Sequence, residues 1–131
     1  MTIMVKSRIL IYVESRYKVN RKRIKSTVQR VLSDNNVTTP VEVSIAVIGD
    51  RKMKSLNKKY RNLDKTTNVL SFPLAEGESS YSGEDIMRLG DVVVSYPVVL
   101  TEAARDEVLV DEKVDELLSH GMLHLLGLHH E

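Results

Sequence analysis

Hydrophobic and polar residues alternate in two rhythms along this chain. Val41, Val43, Ile45 and Val47 interleave with Glu42, Ser44 and Ala46, the two-residue period of a strand. After Asn20 the rhythm is helical: Ile24, Val28, Val31 and Leu32 fall on one stripe, with Asn20 placed to cap it and Asp34-Asn35-Asn36 to end it. Arg8 to Val13 has the β-branched and aromatic content of a first strand. Gly49-Asp50 closes the strand at Val41–Val47, and Asp50 is predicted to cap a short helix containing Met53, Leu56 and Asn57. Val69 to Phe72 forms a third predicted strand, stopped by Pro73, and Val92 to Val94 a fourth. Residues 75–88, polar and rich in Gly and Ser, are expected to form a mobile loop or a short hairpin. Pro97 opens a helix running to about Val108, since a missing N–H costs nothing in a first helical turn. Asp111 is predicted to cap the last helix, with Val114, Leu117, Leu118, Met122 and Leu125 on its apolar face. The order β-α-β-α-β-β-α-α predicts one α+β domain over residues 1–131, with helices packed on a small mixed four-stranded sheet.

Composition narrows the class. A chain of 131 residues suits a single core, and there is no cysteine for a disulfide framework or a thiolate metal site. The longest early apolar run, Ile9 to Val13, is too short for a signal-peptide core or a membrane span, so a cytoplasmic protein is expected. Net charge is only +1, yet residues 1–65 carry 16 Lys/Arg against 5 Asp/Glu, and residues 66–131 carry 3 against 13. Such a split suggests a basic face for an anionic partner, and Arg21, Lys22, Arg23 and Lys25 on the first helix are candidates for phosphate contacts. With one Phe, five Tyr and no Trp, an aromatic stacking platform for single-stranded RNA is not evident. No coiled-coil pattern or long apolar stripe demands a dimer, so a monomer is expected.

All four histidines, His120, His124, His129 and His130, lie in the last twelve residues. His120 and His124 are one helical turn apart and share a face, which suits two imidazoles converging on one ion. Gly127 ends the helix and lets the chain bring His130 back as a third ligand, leaving an open fourth position as in catalytic zinc sites. Three roles are open to His129: a solvent-facing side chain, a group that orients a ligand, or the third ligand in place of His130. The metal site is thus expected on the C-terminal helix and the turn after it. Metzincin proteases share this spacing, but the residue after their first His is a Glu general base, and here it is Gly121.

The segment from His120 to His130 closely resembles the H-G-x-L-H-L-x-G-Y-D-H signature of the YbeY family of bacterial endoribonucleases and ribosomal RNA maturation factors. Leu56-Asn57-Lys58-Lys59-Tyr60-Arg61, then Asp64 and Thr67 to Pro73, is similar to its L-N-x-x-Y-R…T-[DN]-V-L-S-F-P stretch. Leu89 to Ser95 resembles its L-G-D-I-x-I-S strand. The three stretches stand in the family's order and cover residues 41–130. The sequence departs at Leu128 and His129, where the family usually has Tyr and Asp, and it stops at Glu131, where relatives usually continue with an acidic helical tail. The lost Asp weakens the support behind a ligand.

The resemblance implies one Zn2+ per chain at His120, His124 and His130. It implies an endoribonuclease acting in ribosomal RNA maturation at the small-subunit 3′ end and in ribosome quality control, with RNA and the small ribosomal subunit as partners. It assigns to Arg61 the position of the family's functionally important arginine, a catalytic and substrate-binding group for a phosphate. Ser71 and Asp91, on strands beside the similar stretches, are candidate substrate-binding wall residues. Two other readings stand beside this one: a non-catalytic zinc-binding ribosome assembly factor, and a metalloprotease, against which Gly121 argues.

Overall fold

The computed structural model describes residues 7–74 and 86–128. They form β1 (Ser7–Val13), α1 (Arg21–Asp34), β2 (Val41–Ile48), α2 (Asp50–Arg61), β3 (Val69–Pro73), β4 (Met87–Ser95), α3 (Tyr96–Asp106) and α4 (Val110–Leu125). The strands lie in the order β1-β2-β4-β3. β1 with β2 and β2 with β4 are parallel, and β3 joins β4 antiparallel. This is the α+β mixed sheet that the alternating pattern predicts.

Residues that alternate along a strand point to opposite faces of the sheet, and the two faces are covered unequally. Val43 and Ile45 of β2, and Val92 and Val94 of β4, meet Ile24, Val28 and Leu32 of α1, Val99 of α3 and Leu118 and Met122 of α4 in the main core. On the other face, among the described residues, α2 alone covers the sheet, where Met53 packs with Ile48, Leu70 and Val93.

Several element ends differ from the sequence reading. Asn20 does cap α1: its side chain accepts from the Arg23 N–H at 3.0 Å. Asp50 is not a cap but the first residue of α2, after Gly49. Asp111 likewise lies inside the first turn of α4, whose cap is Leu109, where the Glu112 carboxylate accepts from the Leu109 N–H at 3.2 Å. α3 stops at Asp106, because Glu107 turns into the left-handed region at φ 55°. β4 is much longer than Val92–Val94: Met87 and Arg88, assigned from the sequence to a loop, are already strand. The rest of that loop, residues 75–85, lies outside the described residues.

A bulge conceals the first half of β4. Arg88 pairs with Glu42 and Gly90 with Val43, so Leu89 is an extra residue. Gly90 has φ 135°, and a Cβ there would collide with the Phe72 carbonyl of β3 and lie 3.1 Å from Leu125 of α4. Only glycine serves where backbone and helix crowd a residue in that conformation.

Candidate active site

His120 and His124 stand on the exposed side of α4, and beside them lies a cleft of about 160 Å3 lined by Val69, Ser71, His120, Gly121 and His124. One wall is therefore the helix and the other is β3, an edge strand whose odd-numbered residues Val69 and Ser71 turn toward α4. Gly121 determines how closely α4 approaches the sheet. It is buried, and a Cβ on it would sit 2.5 Å from Cγ1 of Val92. The helix rests on β4 at glycine distance, so the protease Glu could not occupy this position without lifting α4 off the sheet.

The loop between α2 and β3 is tied down at three points, mostly by residues of the stretch similar to the family. The Asn57 side chain, 2% exposed, donates to the Lys65 carbonyl at 2.9 Å. Thr66 Oγ1 donates to Asp50 Oδ1 at 3.0 Å, and the same oxygen accepts from Ser95 Oγ at 2.9 Å. The Asn68 amide donates to the Glu102 carboxylate of α3 at 3.2 Å. These bonds fix where β3 begins and hence where Ser71 faces the histidines.

Arg61, the last residue of α2, donates from one terminal nitrogen to the Ser71 carbonyl at 3.0 Å. Its guanidinium lies 5.7 Å from the centre of the Phe72 ring. It is thus held at the edge of β3, beside the strand that walls the cleft, though it is not among the cleft-lining residues. A guanidinium has five N–H donors, so the bond to Ser71 leaves donors that can hold a phosphate.

Asp91 goes elsewhere. It faces the opposite side of the sheet from the histidines and lines a second groove with Ser44, Ala46, Leu56, Tyr60, Phe72 and Val93. His129 and His130 lie outside the described residues. Among the described residues no group of three or more His, Asp or Glu could hold a metal ion. His120 and His124 supply two imidazoles on one helical turn at an open cleft, a donor set that suits a borderline-soft divalent ion such as zinc and needs a further donor to complete it.

Two features escaped the sequence reading. Of the four cations picked on α1, Arg23 is engaged by Asp115 of α4 at 2.8 Å, and Asp115 also accepts from Thr27 at 2.9 Å. The denser basic element is α2, with Arg51, Lys52, Lys54, Lys58, Lys59 and Arg61 all exposed against one acid, Asp50. The run of cations in the sequence was the available signal. Aromatic rings also come together despite their scarcity: Tyr60 and Phe72 meet edge to face, with ring centres 5.1 Å apart.

A mixed sheet with a histidine-bearing helix laid against its edge strand is the class of protein that fold and site define. The family model described as Endoribonuclease YbeY matches residues 10–131. The chain belongs to that family. A protein named Endoribonuclease YbeY from Sulfurihydrogenibium sp. is 38% identical, with 96% of this chain and 80% of the relative covered. One of the same name from Aquifex aeolicus is 37% identical, covering 96% of this chain and 79% of the relative. The fold is similar to the solution structure of a Thermotoga maritima protein, with a TM-score of 0.60 and 25% identity over 94% of this chain and 75% of that one.

Proposed function

We propose that this chain is a zinc-dependent endoribonuclease that acts in ribosomal RNA maturation at the small-subunit 3′ end and in ribosome quality control, in the cytoplasm. The observation that carries the reading is the pair His120 and His124 beside Ser71 in one cleft, with Arg61 tied to the same edge strand. Its family, whose relatives are named endoribonucleases, supplies the substrate class. His120 and His124 would hold the zinc, with His130 or His129 completing the set.

Bound there, zinc supplies Lewis-acid chemistry: it polarises a phosphoryl oxygen and makes an attacking water more acidic. The chain's own residues do the rest. Arg61, oriented by its bond to the Ser71 carbonyl, holds a phosphate oxygen and stabilises the charge that grows on it. Ser71 offers its hydroxyl on the wall opposite the histidines. Gly121 lets α4 rest directly on β4 but supplies no carboxylate base, which sets this site apart from a metalloprotease.

The test is cleavage of a ribosomal RNA 3′-end fragment by zinc-loaded protein, with His124→Ala prepared identically. Cleavage by the wild type alone is the expected result. Equal cleavage by both would trace the activity to a contaminant. No cleavage by either, with ribosome binding intact, would replace the reading with a non-catalytic zinc-binding assembly factor.

A further inference from the structure

The groove behind the sheet has a volume of about 340 Å3, at the small end of the range for sites that take small ligands. Its floor is shallow-sided because Ser44 and Ala46 are small, and its walls are Leu56 and Tyr60 of α2 and Phe72 of β3. Strand pairing sets Leu10, Ser44, Asp91 and Phe72 in one row across the sheet. Asp91 is exposed on that floor, and among the described residues it has no hydrogen-bond or ion partner. Glu42, one row away, is by contrast bracketed by Arg8 at 3.3 Å and Arg88 at 3.6 Å. The rim is cationic: Lys59 Nζ lies 5.2 Å from the centre of the Tyr60 ring, Arg61 stands over Phe72, and α2 carries six exposed cations.

An acidic peptide would suit this rim but meet Asp91, and a basic one would suit Asp91 but meet the rim. A nucleotide carries both complements in one unit, an anionic backbone and a base with N–H donors. Unpaired RNA bases stack on aromatic side chains and are read by hydrogen bonds along their edges, and a carboxylate can accept from a base's N–H donors. Guanine fits Asp91 best, since its N1–H and N2–H lie in parallel and match the two oxygens of a carboxylate. β3 lies between groove and cleft: Ser71 faces the histidines, Phe72 faces the groove, and Arg61 touches both residues.

We infer that the groove is a base pocket for the RNA substrate: an unpaired guanine lies against the edge-to-face pair of Tyr60 and Phe72 and meets Asp91, while its neighbouring phosphates pass Arg61 at the edge of β3. The inference rests on the nuclease reading for its substrate class, yet it is tested without cleavage. Binding of a fluorescein-labelled, uridine-rich single-stranded 12-mer with one central guanine is measured by anisotropy in chelator. The same RNA with inosine, which lacks the N2 amino group, is the comparison. Wild type is expected to bind the guanine RNA roughly tenfold more tightly, the size of one good base contact. Asp91→Asn, shown folded by circular dichroism, is expected to abolish that difference, and Tyr60→Ala to weaken both RNAs alike. Equal affinity for guanine and inosine in the wild type, or a preference that survives Asp91→Asn, would overturn the inference and leave the groove to a protein partner. Inactivity of the zinc-loaded enzyme would remove the nuclease reading without touching this result.

Discussion

The two faces of the sheet are built for different ends. On one, sixteen buried apolar residues from α1, α3, α4 and the strands β2 and β4 form a continuous core among the described residues. On the other, among the described residues, Met53 of α2 gathers only Ile48, Leu70 and Val93 beneath it, and Leu10 and Tyr12 of β1 are about half exposed. The closed face supplies stability and holds α4, with its histidines, against the edge strand. The open face has little packing to lose, which leaves its polar and aromatic positions available for recognition. Stability and recognition are thereby divided between the faces, meeting at β3.

That division is broken most severely from the closed face. Leu118, 0% exposed, is surrounded by the main core, so Leu118→Ala is expected to cost about 2–5 kcal/mol in urea unfolding. A cost below 1 kcal/mol would mean that the core is not the stabilising face. Next comes the latch between α2 and the start of β3. Asp50→Ala removes the acceptor shared by Ser95 and Thr66, with a cost of roughly 1–3 kcal/mol. It is also expected to loosen β3 and protect its amides less in hydrogen exchange; unchanged protection would deny the loop its positioning role.

A third effect appears only in acid. Hydrogen bonds from Arg105 and then from the buried Lys113 hold the Asp106 carboxyl well below the usual carboxylate range. Because the folded-state pKa is depressed, the stabilisation is fully present above the ordinary value of about 3.9 and fades as pH falls below it. Asp106→Asn is expected to lower Tm at neutral pH and to flatten the fall in Tm from pH 4 to pH 2. Parallel wild-type and variant curves would rule the pair out as an acid-sensitive element. The smallest effect belongs to the open face: Leu10→Ser, 48% exposed in the wild type, is expected to change stability by less than about 0.5 kcal/mol. A larger loss would show that something covers this face in solution.

The sequence made the element order legible because β2 and α1 keep clean periods of two and of nearly four. It hid the first half of β4, where the bulge at Leu89 changes parity. Leu89 belongs to the main core, but so do the even-numbered Val92 and Val94, while Asp91 and Val93 face α2. Counting by twos could therefore not reveal that Asp91 points away from the histidines. The pairing of His120 with His124 was readable from helical spacing, as was the absence of the protease Glu. That Gly121 is a contact with Val92 was not, because the residue it touches is 29 positions away. Strand order was equally hidden, since no local pattern states that β4 inserts between β2 and β3.

That insertion also governs assembly of the cleft during synthesis. Among the described residues β3 pairs in the sheet with β4 alone, and α4 follows both strands in the chain. A nascent chain that has emerged as far as Pro73 can pair β1 with β2 but holds β3 as an orphan strand. Its wall of the cleft is set only when β4 arrives, and the opposing wall only when α4 docks. Pairings between distant segments form slowly, and exposed strand edges invite misassociation while they wait. An unfinished chain therefore presents basic helices without a cutting cleft, so that the capacity to act on RNA arrives with the completed fold.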